Sequence, residues 1–207
     1  RFAELSTAFS NNVLDATKLF GLTVTDPKSL EGVPDSALAM WASAHQQHLI
    51  KEASDEEEKK KLGEADIDPK AGPWRITLDG PSYIAAMQHV PDRDIRKQVY
   101  IGYMTRASEF TADQLESKEA EKKEGAPGKN NVPIINEILK LRKEVSGLLG
   151  FSNYAEQSLA SKMAPDVQSV ADLSNLILEK ALPAAEKELA AATALAREVG
   201  GDEYSEA

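Results

Sequence analysis

The chain has 207 residues, 42% apolar and 28% charged, which suits one ordinary domain or two small ones and is too apolar for wholesale disorder. Its 24 Lys and Arg stand against 34 Asp and Glu, a formal charge of −10 that argues against nucleic-acid binding by counterion displacement. The absence of cysteine excludes disulfide frameworks, cysteine nucleophiles, iron–sulfur clusters and thiolate zinc sites, and no apolar run approaches a membrane span.

Phe2, Leu5, Phe9, Val13, Ala16 and Phe20 recur at steps of three and four, which predicts an amphipathic helix with Gly21 as its C-cap. A second helix is expected from Pro34-Asp35-Ser36, capped by Asp35 or Ser36 and carrying Leu38, Trp41, Ala44, His45, His48 and Leu49. From Ser54 to Gly72 the composition turns charged, and this stretch reads as a solvated loop or helix extension outside the core. Trp74–Leu78 alternates large apolar residues with Arg75 and Thr77, the pattern of a strand. A short helix should start at Pro81 or Ser82 and run through Met87. Asp92 should cap the next, with Ile95, Val99 and Tyr103 on one face.

A second polar insertion covers roughly 109–130, as the first covers roughly 54–70. Asn131-Val132-Pro133 then opens the most strongly patterned helix, through Ile138, Leu141 and Val145 to Gly150. A short helix over Ser152–Lys162 follows, then a long one from Asp166 to Gly200-Gly201 that Pro183 should kink or divide. The sum is mainly α: six or seven helices, one short strand and two polar insertions, read as a single helical region over 1–207. Arg1 in place of Met, a stripe already running at Phe2 with no leader pattern before it, and the unclosed Gly-Asp-Glu-Tyr-Ser-Glu-Ala lead us to expect that both ends are cut.

The chain has three histidines, His45, His48 and His89. His45 and His48 share a helix face with Glu52 one turn on, a possible zinc set. The spacing is not H-E-x-x-H, and Gln46 stands where that motif has its general base; an amide cannot take the proton. Ordinary histidines on a half-exposed helix are the better reading. No nucleophile elbow, phosphate loop or dinucleotide fingerprint occurs. Trp41 and Trp74 read as packing residues, and Arg96, Arg106 and Arg142 as surface or interhelical ion-pair partners.

Several blocks resemble a known family. They are Asn12-Val13-Leu14-Asp15-Ala16-Thr17, Gly72-Pro73-Trp74-Arg75-Ile76-Thr77-Leu78-Asp79 with Pro81-Ser82-Tyr83, and Tyr103 with Thr105-Arg106-Ala107-Ser108. Ile138–Arg142, Leu148–Glu156 and Ser158–Ala164 continue the series. Together they resemble the thimet-oligopeptidase-type M3 zinc metallopeptidases, particularly the oligopeptidase A subgroup with its plant and algal organellar members. The resemblance covers nearly the whole chain in family order, and the two insertions are longer than the family pattern.

It implies part of a neurolysin-like fold, in which two mostly helical halves enclose a channel for short peptides. Zinc is held there by the H-E-x-x-H histidines and a later Glu, and the motif Glu is the general base. All of these lie C-terminal to the part seen here, so no residue of 1–207 is assigned a catalytic, metal or substrate-binding role. Zinc belongs to the full-length family, and this chain alone is expected to hold no cofactor. The implied partners are short peptides, met through the complete enzyme, with no nucleic acid and no membrane insertion. The alternative is a truncated, inactive paralogue serving as a structural or binding subunit of a larger assembly. The compartment is left open among chloroplast, mitochondrion and cytosol.

Overall fold

The computed structural model describes residues 1–108 and 130–200, and within them the chain forms eight α-helices and one two-stranded sheet. The second polar insertion falls outside the described residues apart from Asn130, as do 201–207. The chain divides into two compact units, Arg1–Leu139 and the part from Lys140 onward.

In the first unit, α1 (Phe2–Leu19) ends on Phe20 in an extended conformation, and Gly21 is not the positive-φ cap expected of it. Gly21 serves close approach instead: a Cβ there would lie 2.1 Å from Arg75 Cζ. The predicted strand is β2 (Trp74–Ile76), and it finds an antiparallel partner in β1 (Leu22–Val24). The register sets Val24 opposite Trp74 and Leu22 opposite Ile76, so the buried residues share one face. A two-stranded ribbon of three residues per strand is marginal alone. Here α2 (Asp35–Glu52) packs across β2 and supplies the missing apolar cover.

Pro34, rather than Asp35 or Ser36, occupies the N-cap of α2, and no side chain caps that end. The charged stretch after Ser54 is neither loop nor extension along Glu56–Glu64 but a separate helix, α3. Asp55 Oδ1 accepts from the Glu58 amide at 2.8 Å, and Lys59–Glu56 and Lys61–Glu57 pair along the surface. Local capping and i,i+4 charges thus make a helix that hydrophobic periodicity does not reveal.

α4 (Gly80–His89) and α5 (Arg93–Met104) close the core around Trp41, Trp74, Ile76, Leu78, Ala86 and Val99, each at most 1% exposed. Asp92 caps α5 as expected, its Oδ1 accepting from the amides of Asp94 and Ile95 at 2.9 and 3.1 Å. Asp92→Ala should therefore cost about 1 kcal/mol in a urea titration of the whole chain. Asn131 links the start of α6 (Val132–Leu148) to α1: its Nδ2 donates to the Phe9 carbonyl at 3.1 Å, and its Oδ1 accepts from Asn12 at 2.9 Å.

The second unit holds the remainder of α6, then α7 (Tyr154–Leu159) and α8 (Val167–Gly200). Gly150 has φ +82° and ends the turn after α6. Asn153 caps α7, and Asp166 accepts from the Ser169 amide at 2.7 Å to start α8. Pro183 does not divide α8, which runs unbroken for 34 residues. Buried Ser146 hydrogen-bonds to the Arg142 carbonyl and, at 3.1 Å, to Gln157 Oε1, joining α6 to α7.

Candidate functional site

Helix α2 places His45 and His48 on a half-buried part of its surface. His45 Nδ1 is buried and has no hydrogen-bond partner. Burial first, then the positive charges of His48 and Arg75, hold its pKa below the ordinary 6.5. The imidazole is therefore neutral in the folded protein at neutral pH.

The sign of the consequence follows. The unfolded chain protonates His45 more readily than the folded one, so stability from this group is complete above pH 6.5 and declines below it. His45→Gln should flatten the acid limb of a plot of urea midpoint against pH between about pH 7 and 5. An unchanged limb would assign the acid sensitivity to another group.

Glu52 is exposed at the last position of α2 and does not join the two histidines in a ligand set. Among the described residues, no group of three or more His, Asp or Glu side chains is placed to hold a metal ion. Gln46 is committed elsewhere: its Nε2 donates to the carbonyls of Leu62 and Ala65 at 2.6 and 3.0 Å, fastening α2 to the end of α3. The donor chemistry of this face does not fit a hydrolytic metal centre.

Trp41 and Trp74 are core residues whose indole N–H groups are satisfied by Ser82 Oγ at 2.9 Å and the Pro69 carbonyl at 2.7 Å. Ser82 Oγ also accepts from the Thr77 amide at 3.0 Å, so one hydroxyl joins α2, α4 and the residue that follows β2. Among the described residues, Arg96 and Arg106 make no ion pair and are engaged otherwise. Arg96 Nη1 donates to the carbonyls of Val90 and Pro91 at 2.6 and 2.8 Å. The Arg106 guanidinium lies 3.5 Å from the Tyr103 ring centroid and donates to Thr17 Oγ1 at 3.0 Å. Tyr103 in turn stacks on Tyr83 at 4.0 Å between centroids. In the second unit, Arg142 lies over Tyr154 at 4.6 Å.

The Tyr83–Tyr103–Arg106–Thr17 stack escaped sequence reasoning because its members come from three helices and the turn after α5. The one local signal was the three-residue spacing of Tyr103 and Arg106, which sets a cation above a ring one turn back. Burial raises the Tyr83 pKa above its ordinary value, and the neighbouring Tyr100 and Tyr103 act in the same direction. The stack is a cation-capped joint between α1, α4 and the end of α5. It contains no general base.

Comparison with known proteins gives this architecture its context. The profile of Peptidase family M3 matches residues 86–207, more than half of the chain. This chain belongs to peptidase family M3. The organellar oligopeptidase A, chloroplastic/mitochondrial, of Arabidopsis thaliana is 38% identical over 200 residues, covering 97% of this chain and 21% of its own length. The probable cytosolic oligopeptidase A of the same plant is 42% identical over 161 residues, 78% of this chain and 18% of that one. Oligopeptidase A of Escherichia coli strain K12 is 38% identical over 205 residues, 98% of this chain and 25% of that one.

The chain thus spans about a fifth to a quarter of the length of these M3 relatives. The M3 segment carries its family blocks at structural joints. Trp74–Leu78 forms β2 and the buried residues after it, Tyr103 and Arg106 make the stack, and Asn153 and Glu156 form the N-cap of α7. No helix among the described residues is long and apolar enough to cross a membrane.

Proposed function

We propose that residues 1–207 are a non-catalytic helical portion of an oligopeptidase A-type zinc metalloendopeptidase that degrades short peptides. One observation carries the reading: 98% of the chain aligns with an oligopeptidase A four times its span, while H-E-x-x-H occurs nowhere in it. The zinc, its ligands and the general base then come from chain outside these residues. The portion described here supplies scaffold, built around the Trp41–Ser82–Trp74 core and the arginine-capped tyrosine stack. The organellar and cytosolic relatives both favour a soluble enzyme inside the cell.

The test is a chimera in which residues 1–207 replace the aligned 205-residue segment of E. coli oligopeptidase A. Hydrolysis of a quenched fluorescent peptide should stay within about tenfold of the parent, a barrier change of about 1.4 kcal/mol. A chimera that folds and does not turn over peptide would refute the reading. The isolated chain, purified rigorously, should show no chelator-sensitive hydrolysis. The exposed apolar residues of α8 also favour a second reading, an inactive paralogue that works as an assembly subunit. That reading predicts a folded, inactive chimera.

A further inference from the structure

Among the described residues, Ala107 is the only one other than glycine with a positive φ, at +50°, and it is buried. A Cβ disfavours that backbone, so the conformation persists only where its surroundings enforce it. The enforcing contact is short. The Ala107 carbonyl accepts from the Asn131 amide at 2.8 Å, joining the two edges of the second polar insertion.

Asn131 is itself 4% exposed, and both its main chain and its side chain are committed. Its carbonyl accepts from the Ile135 amide at 2.8 Å, inside the first turn of α6. Its Nδ2 donates to the Phe9 carbonyl and its Oδ1 accepts from Asn12, both on α1. The departing edge is held to the same helix, because Arg106 Nη1 donates to Thr17 Oγ1 at 3.0 Å. Ser108 closes the turn before the insertion, its amide and hydroxyl donating to the Thr105 carbonyl at 3.2 and 2.9 Å. Asn130 Oδ1 accepts from the Val132 amide at 2.8 Å and starts α6.

Both edges are thus tied to α1 and to each other, by bonds that need no residue of 109–129. That stretch carries six acidic residues and four lysines, with Phe110 and Leu115 as its large apolar side chains. Such a composition brings little apolar area to a core.

We propose that Ala107 and Asn131 are a clamp that closes the scaffold beneath the insertion, so that the length and sequence of 109–129 can change while the fold of this unit is kept. The device is conformational: a strained alanine and a buried asparagine, seated on α1, fix where the chain leaves and where it returns. It is independent of the reading under Proposed function, and its test involves no measurement of hydrolysis.

Three forms of the 207-residue chain are compared. They are the parent, a form with 109–129 replaced by Gly-Ser-Gly-Ser, and a form with a Gly/Ser run of about twice the native length. Closure entropy changes only slightly with each doubling of a loop, so all three should melt within about 4 °C of one another. Asn131→Ala should lower Tm by roughly 5 °C in each, since the Asn12 amide loses its partner at a part-buried site. Hydrogen exchange read by NMR should give the Asn131 amide the same protection in all three forms. That measurement stands even where Asn131→Ala does not fold.

A replaced form that melts more than about 5 °C below the parent, or does not fold, would overturn the proposal, because the insertion then supplies structure. Lost protection at the Asn131 amide in either replaced form would overturn it as well. A Tm unmoved by Asn131→Ala would remove the clamp. A loss confined to the native insertion would show that Asn131 serves the insertion and not the scaffold.

Discussion

Trp41→Ala should remove about 3–5 kcal/mol from the stability of the chain, the largest single loss we expect. Trp41 is fully buried, and its indole N–H donates to Ser82 Oγ at 2.9 Å. Truncation leaves a cavity where α2 crosses β2, beneath residues with no freedom to collapse because Trp74, Ile76 and Leu78 are themselves packed. Urea denaturation followed by the fluorescence of the remaining Trp74 measures it. Trp41→Phe separates the two contributions: it keeps most of the volume and loses the donor, and should cost about 1–2 kcal/mol more than a volume-matched surface change. A loss below about 1 kcal/mol for alanine would mean that the core does not close around this ring.

Gly72→Ala comes second. Gly72 has φ +68°, and a Cβ there would lie 2.7 Å from Trp74 Cζ3. Both penalties act together, since the left-handed backbone disfavours any side chain and the Trp74 ring cannot retreat. That ring is buried and held by its indole donation to the Pro69 carbonyl. We expect a loss of about 2–4 kcal/mol, read from the urea midpoint. Gly32→Ala supplies the comparison. Gly32 also has positive φ, at +83°, but nothing lies within 4 Å of its would-be Cβ. It should lose only the backbone part, about 1 kcal/mol. Equal losses at the two positions would show that the Trp74 contact contributes nothing.

What the sequence made legible was whatever repeats at short range. Ile95, Val99 and Tyr103 announce α5, and Asp92 announces its start, because both signals lie within one or two turns. Trp74-Arg75-Ile76 announces a strand by alternation, but its partner, Leu22–Val24, lies some fifty residues away and is too short to carry a pattern of its own. α3 was missed for the opposite reason: it has no apolar face to detect, and its order comes from Asp55 and paired charges. Pro183 does not divide α8: proline removes the donor for the carbonyl four residues back, yet the rest of a 34-residue helix holds through that gap. The tyrosine–arginine stack and the Ser82 junction are products of tertiary placement, and no single stretch of chain contains them. The M3 family, in contrast, was readable from short blocks in order, and the same short blocks turn out to sit at caps and core crossings.

The fastening of α3 has an evolutionary corollary. Gln46 grips Leu62 and Ala65 through their main-chain oxygens, which every amino acid possesses. Related chains are therefore free to rewrite the outward side chains of that segment while its attachment persists. An alignment column by column would register drift there and conclude that the stretch is loosely held. The anchor would go unseen, since half of it is spelled in backbone and the other half resides in a single glutamine on a different helix.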